Sequence, residues 1–181
     1  MSIDRPERET QNRVIALFRN ELGYRYLGDR KDFANTNIWE EHLTYHLTCV
    51  GYSETQIVRA VEILKRTANS SGSLYELNQA IYKLLRYGVD VKTEASGVTG
   101  KVHLINWDDP QANDFAIAEE VTLHVNHERR PDIVLYINGI AIGIIELKRS
   151  SVSIGDGIRQ NISNQLPEFN EWFFSTVQFV F

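Results

Sequence analysis

Residues 133–145 decide the fold, and they read IVLYINGIAIGII. Two apolar runs flank Asn138 and Gly139, and this dipeptide between such runs is a strong hairpin signal, since both residues accept positive φ angles. Neither run alternates apolar with polar residues, which is typical of strands covered on both faces. We therefore predict two paired strands, residues 133–137 and 140–148, at the centre of a sheet.

Three charged residues lie at the open end of this predicted hairpin. Asp132 precedes the first strand, and Glu146 and Lys148 extend the second, where an uncompensated charge beside a core is costly. Strand alternation puts Glu146 and Lys148 on one face and Leu147 on the other. Two carboxylates and the carbonyl of Leu147 would offer Mg²⁺ the oxygen ligands that it prefers. With Lys148 beside a scissile phosphate, the pattern is suited to phosphodiester hydrolysis. The alternative is an ordinary strand end that emerges into solvent, with Asp132 an unrelated turn residue after Pro131.

This metal site depends on the hairpin register. A two-residue Asn138-Gly139 loop followed by a regular ladder would set Asp132 opposite Ile145, so Asp132 and Glu146 would point to opposite faces. An odd loop or a β-bulge returns the two acids to one face. We therefore predict a bulge or an equivalent kink, and a regular ladder would contradict the site.

Outside the hairpin, the pattern divides the chain into a helical part, about 1–88, and a sheet core, about 89–181. Helical periodicity covers 7–21, 37–50, 54–68 and 74–87. Ser53 with Gln56 and Ser73 with Glu76 fit capping boxes. Further β-rich runs cover 89–94, 101–107, 114–125 and 175–181, with a last helix at 156–166. We predict one α/β domain, residues 1–181, in which helices flank a mixed sheet.

Composition excludes several classes of protein. The single cysteine, Cys49, cannot form an internal disulfide, and no signal peptide or membrane-length apolar run is present, so we expect a cytoplasmic protein with no membrane partner. The net charge of −5 argues against tight autonomous binding to DNA. We interpret the basic pairs at 129–130 and 148–149 as solvated edges.

The stretch RPDIVLYINGIAIGIIELK, residues 130–148, resembles the nuclease motif of type I restriction enzyme R subunits, which belong to the PD-(D/E)xK nuclease superfamily. The resemblance extends to residues 7–13, 113–115 and 157–160, and so covers nearly the whole chain. It implies a restriction-endonuclease-like mixed sheet flanked by helices. It also implies that Asp132 and Glu146 bind Mg²⁺, that Lys148 is catalytic and that an acid on the first helix, Glu7 or else Glu9, supports the site.

Members of this family also carry a glutamine on the helix after the lysine, often followed four residues later by a tyrosine. Gln160 fits the first position, whereas Asn164 stands at the second. The resemblance therefore implies a DNA or active-site contact for Gln160, with a solvated helix residue as the alternative.

The resemblance also implies partners: double-stranded DNA, methylation and specificity subunits, and a helicase-like motor that hydrolyses ATP. Residues 155–157 lack the Gly-Lys-Ser/Thr ending of a phosphate loop, so ATP would serve only a motor absent from this chain. We expect an N-terminal fragment of a larger motor-containing subunit. Two alternatives stay open: a nuclease-like docking or DNA-binding module without cleavage, and another PD-(D/E)xK DNA repair nuclease. His42 and His46, four apart on a predicted helix, are a weaker zinc candidate.

Overall fold

A computed structural model describes residues 5–92, 99–123, 129–147, 155, 158–159, 162–163, 165–166 and 171–181. Lys148 and Gln160 lie outside these residues. The helices are α1 (Arg5–Ala16), which continues into a π-helical turn (Leu17–Glu21), α2 (Glu40–Val50), α3 (Glu54–Ala68), α4 (Leu74–Tyr87) and α5 (Glu171–Phe174). The strands are β1 (Arg25–Asp29), β2 (Val89–Lys92), β3 (Thr99–Val102), β4 (Phe115–Glu119), β5 (Ile133–Ile137), β6 (Ile140–Ile145) and β7 (Phe179–Val180).

Five of the described strands form a mixed sheet in the order β1-β4-β5-β6-β7. The β5–β6 hairpin is antiparallel and β5 is the middle strand, which confirms the predicted centre of the sheet. The two outer strands, β1 and β7, each run parallel to their neighbour. As a result, β1, β4, β6 and β7 all end at the edge where β5 begins, and Asp132 lies at that edge.

The predicted division into a helical part and a sheet core was too simple. Strand β1 lies within the helical part but pairs with β4, so the sheet draws on both parts of the chain. Strands β2 and β3 form a separate two-stranded sheet, and β3 ends at Val102, short of the predicted residue 107. Beyond Val102 the amide of His103 donates to the hydroxyl of Tyr52 and that of Asn106 to Oδ1 of Asn113, so the backbone bonds with side chains instead of a neighbouring strand.

Helices α3 and α4 begin at Ser53 and Ser73, and both predicted capping boxes are confirmed. Helix α2 begins at Glu40, later than predicted, because Asn37 and Ile38 are used by the sheet. The carbonyl of Asn37 accepts a 2.8 Å hydrogen bond from the amide of Ala141, and Ile38 bridges to Ile140. Tertiary pairing thus overrides local helical periodicity in this segment.

The apolar residues of the first helix do not all face the core. Val14 and Phe18 pack beside Ile15, but Leu17 and Leu22 are about half exposed, at 49% and 54%. The amide of Leu22 bonds to the carbonyl of Leu17, five residues back, and this π-helical turn (Leu17–Glu21) rotates Leu22 away from the α-helical face.

The described residues form three buried clusters. One lies between α1 and the sheet and contains Ile15, Ile117 and Ile133. A second lies on the opposite face and includes Val134, Tyr136 and both phenylalanines of α5. The third joins α2, α3 and α4 to the small sheet and reaches β6 through Ile140 and Ile142.

The turn of the central hairpin is tied to its surroundings by Asn138. This side chain is fully buried; its amide donates to the carbonyl of Leu104 and to Oδ1 of Asn113, and its oxygen accepts from the amide of Asp114. Asn138 and Gly139 have φ angles of 51° and 82°, as a type I′ hairpin turn requires. The turn is therefore buried and not a free surface loop.

Candidate functional site

The central hairpin contains the predicted bulge. Ile137 pairs with Ile140 and Tyr136 with Ala141, but Leu135 pairs with Gly143, so Ile142 is the extra residue on β6. Beyond it the ladder runs to Ile133 opposite Ile145. One further step sets Asp132 opposite Glu146. The register condition for a shared site is thereby met, and the bulge lies within the strand instead of at the turn.

Side-chain packing gives a second view of the same register. Ala141 and Ile144 are three residues apart and would point to opposite faces of a regular strand, yet both pack in the cluster that contains Val134 and Tyr136. Continuing the alternation beyond the ends of the ladder puts Asp132 on the face of Val134 and Glu146 on the face of Ile144. Leu147 packs with the cluster on the opposite face, as predicted.

The carboxylate of Asp132 is oriented by the other strand. Its Oδ2 accepts a 2.6 Å hydrogen bond from the backbone amide of Leu147. The amide of Glu146 donates at 3.0 Å to the carbonyl of Phe181, so the residue after β7 also supports this edge. Asp132, Glu146 and Leu147 are all half-buried. The structure thus brings together the three residues predicted to ligate a metal through oxygen.

These donors suit a hard divalent cation. A carboxylate has several lone-pair positions, so the hydrogen bond from Leu147 is compatible with metal ligation by Asp132. Mg²⁺ is held in many proteins by one or two carboxylates and several waters. Within the described part of the chain, no group of three or more His, Cys, Asp or Glu side chains could hold a metal ion, so any metal here would depend on the backbone carbonyl and water as well.

The supporting acid on α1 was predicted as Glu7, with Glu9 as the second choice. Glu9 is exposed, whereas Glu7 is half-buried and lies one helical turn before Gln11, on the same side of α1. Gln11 contacts the carbonyl of Asp132 at 3.2 Å. Glu7 and Gln11 therefore lie on the side of α1 that contacts the backbone of Asp132.

Sequence reasoning missed a buried polar cluster beside this site. Glu119 and Glu120, at the end of β4, are each only 4% exposed. Arg8 Nη1 lies 2.7 Å from Glu119 Oε2, and Arg130 Nε lies 2.7 Å from Glu120 Oε2. The interpretation of Arg130 as a solvated edge is therefore wrong. Two acids directly after an apolar strand were the available signal, because buried carboxylates need partners.

Tyr26 on β1 completes the surroundings of Glu119. Its hydroxyl donates to Oε1 of Glu119. Burial, and then this hydrogen bond, raises the pKa of Tyr26 to about 12. The hydroxyl therefore stays protonated at neutral pH and acts as a hydrogen-bond donor.

The zinc candidate on α2 is not supported. His42 stacks on Trp39 with ring centroids 5.0 Å apart and has Arg25 Nη2 3.4 Å from its Nδ1. Burial lowers the pKa of both His42 and His46, and the arginine lowers that of His42 further. Neither histidine belongs to a cluster of potential metal ligands in the described residues. His42 therefore packs against Trp39, and His46 is buried.

Comparison with known proteins gives the family. The sequence model for "Type I restriction enzyme R protein N terminus (HSDR_N)" matches residues 4–181. This chain belongs to that family. A relative within the same enzyme type is a Methanocaldococcus jannaschii protein, provisionally named type I restriction enzyme MjaIXP endonuclease subunit, with 31% identity over 96 residues. Those residues make up 49% of this chain but 9% of the relative, so the chain spans a small part of that protein's length.

The family assignment confirms the resemblance to type I restriction enzyme R subunits and, as expected from the sequence, covers nearly the whole chain. As to membranes, none of the helices in the described ranges is long and apolar enough to span a bilayer.

Proposed function

We propose that this chain is the nuclease domain of a type I restriction enzyme R subunit, and that it hydrolyses phosphodiester bonds of double-stranded DNA with Mg²⁺. The observation that carries the proposal is the register of the central hairpin. An extra residue at Ile142 sets Asp132 opposite Glu146, and the amide of Leu147 holds the carboxylate of Asp132. A bulge beside an active site is a recurrent way to re-aim a side chain.

In this proposal, Asp132, Glu146 and the carbonyl of Leu147 hold the metal ion. A bound Mg²⁺ would supply an activated water and neutralise charge that develops on the phosphate. Lys148, which the sequence predicts on the same face as Glu146, would add positive charge next to the scissile phosphate. Glu7 would support the site from α1. Gln160 stays a proposed contact on the basis of the family resemblance.

The remaining functions of the enzyme are assigned to other parts of it. The 96 residues matched to the archaeal subunit are 9% of that protein, which leaves room for an ATP-dependent motor elsewhere in the larger subunit. DNA recognition would come from the specificity subunit, which agrees with the net charge of −5 on this chain. We propose residues 1–181 as one nuclease domain of a cytoplasmic complex.

The test is plasmid cleavage by the complex assembled with its methylation and specificity subunits. Cleavage is expected with ATP and Mg²⁺, and it should stop on addition of EDTA and in the Lys148→Ala variant. Lys83→Ala, an exposed change on α4, is the charge-matched control. If Lys148→Ala assembles and cuts as fast as the wild type, the catalytic assignment is wrong. If the wild-type complex assembles and binds DNA without cutting, the docking module replaces the nuclease.

A further inference from the structure

Gln11 is the centre of the buried polar cluster beside the candidate metal site. This α1 residue is 1% exposed. Its Nε2 lies 3.2 Å from Glu119 Oε2, 3.0 Å from Glu120 Oε1 and 3.2 Å from the carbonyl oxygen of Asp132. One amide group thus connects α1, the end of β4 and the first residue of the metal site.

The cluster is balanced in charge. Two glutamates face two arginines: Glu119 pairs with Arg8 and Glu120 with Arg130. Buried carboxylates keep their charge when ion pairs and hydrogen bonds replace water. Because the arginines already supply the charge partners, the uncharged amide of Gln11 is not needed for neutralisation. Its distinct contribution is the contact with Asp132.

The backbone around Asp132 is held from two directions. Its carbonyl accepts a 3.0 Å hydrogen bond from the amide of Glu120 in addition to that of Gln11. Glu120 has a φ of 52°, a left-handed conformation that costs a glutamate energy and therefore needs support from its surroundings. The side-chain bonds of Glu120 to Gln11 and Arg130 give that support. Strained residues of this kind cluster at functional sites.

The contacts on α1 and on β6 act on different atoms of Asp132. Helix α1 packs on the face of Ile133, whereas the alternation directs the Asp132 carboxylate to the face of Val134. Gln11 therefore reaches the carbonyl of Asp132, while Leu147 fixes its carboxylate. The main chain and the side chain of the proposed ligand are each held in place.

We propose that Gln11 is a positioning residue for the metal site. Through its contacts with the Asp132 carbonyl and Glu120, it fixes the backbone of Asp132 and thereby the position of the Asp132 carboxylate. The inference rests on the proposed nuclease function and adds a residue that contacts neither metal nor DNA. Outer-shell partners of metal ligands commonly change metal affinity or activity by about 10–100-fold when removed.

The test measures metal binding in the absence of DNA. Mn²⁺, which takes the same oxygen ligands as Mg²⁺, is titrated into the 181-residue chain and the free ion is followed by electron paramagnetic resonance. Gln11→Met keeps the length of the side chain but removes its donors. Asn12→Met, at the next and exposed position of α1, is the matched control. Thermal unfolding of each variant is recorded, and all titrations are made well below its midpoint.

The affinity of Gln11→Met for Mn²⁺ should be lower than that of the wild type by about tenfold or more. The affinity of Asn12→Met should equal that of the wild type. A purely structural role would lower the unfolding midpoint but leave the affinity of the folded protein unchanged, and that result would overturn the inference without affecting the nuclease proposal. Absence of Mn²⁺ binding by the wild type at millimolar concentration would overturn the metal site itself. Should Gln11→Met not fold, Gln11→Asn retains the amide but is too short to reach Asp132, and the same comparison applies.

Discussion

The amide of Leu147 donates a 2.6 Å hydrogen bond to the carboxylate of Asp132 across the open end of the central hairpin. The bond joins residues 15 apart in sequence and exists because the bulge at Ile142 shifts the register by one. Without that shift, the first residue after β6 would not stand opposite Asp132. The candidate metal site is thus a product of a strand irregularity.

Replacing Asp132 with asparagine tests the charge at this position. The asparagine side chain still offers an oxygen to the amide of Leu147, so we expect the free energy of unfolding to change by less than about 1 kcal/mol. Cleavage by the assembled complex should fall by more than the roughly 100-fold seen for outer-shell changes, because a metal ligand loses its charge. Asp108→Asn, at an exposed acid, is the control. Wild-type cleavage by Asp132→Asn would rule out Asp132 as a ligand.

The buried turn residue Asn138 should stabilise the fold strongly. Asn138→Ala removes three hydrogen bonds and leaves alanine at a φ of 51°. We expect a loss of about 3 kcal/mol, since buried groups left unsatisfied cost 1–3 kcal/mol each. Asn138→Gly loses the same bonds without the backbone strain and should be about 1 kcal/mol less destabilising. Urea denaturation measures both, and equal losses would show that strain contributes nothing at this turn.

Gly139 tests steric crowding separately from backbone strain. A Cβ at this position would lie 2.8 Å from the carbonyl oxygen of Trp39 and 2.9 Å from Cβ of His42. Gly23 has a similar φ, 73° against 82°, but a Cβ there would meet nothing within 4 Å. Gly139→Ala should therefore be about 2 kcal/mol more destabilising than Gly23→Ala, which carries only the left-handed penalty. Equal unfolding midpoints for the two variants would mean that α2 moves to make room for the added methyl group at little energetic cost.

The raised pKa of Tyr26 predicts a pH dependence of stability. Between the ordinary tyrosine pKa of about 10 and the folded value of about 12, the folded state keeps a proton that the unfolded state has lost. The contribution of Tyr26 is therefore complete below pH 10 and is lost as the pH rises through 12. The difference in unfolding free energy between wild type and Tyr26→Phe should shrink from pH 9 to pH 11.5.

Urea titrations at several pH values measure this difference. Tyr75→Phe, at a tyrosine that is 75% exposed, should show a difference that does not vary with pH. If the Tyr26→Phe difference is also constant up to pH 11.5, Tyr26 ionises at its ordinary pKa and its bond to Glu119 contributes nothing.

Local signals in the sequence predicted much of the fold. The hairpin turn at Asn138-Gly139, the two capping boxes and strand β5 are confirmed, because each depends on a few neighbouring residues. Strand β1 and the late start of α2 were missed. Both depend on pairing partners about 90 or more residues away, Ala116 for Arg25 and Ala141 for Asn37.

The candidate site also has a part that the local sequence predicts and a part that depends on distant residues. The sequence alone pointed to Asp132 and Glu146 as candidate ligands. Their spacing also required a bulge to bring them to one face, since strand alternation is a local rule. The roles of Asp132, Glu146, Lys148 and Gln160 in metal binding and catalysis stay predictions. Gln11, Glu119, Glu120 and Arg130 entered only with the tertiary structure, which joins a helix to strands more than 100 residues away.

Local chemistry was thus enough to specify the central hairpin and the acids at its open end, and the resemblance of these residues to a known motif indicated the family. Backbone propensity and strand alternation act over a few residues, so they can be deduced without coordinates. The position of the bulge, the packing of α1 and the partners of the buried glutamates required the tertiary structure. These features arise when a buried charge or an unpaired backbone group finds a distant partner, and sequence spacing carries no information about which partner that will be.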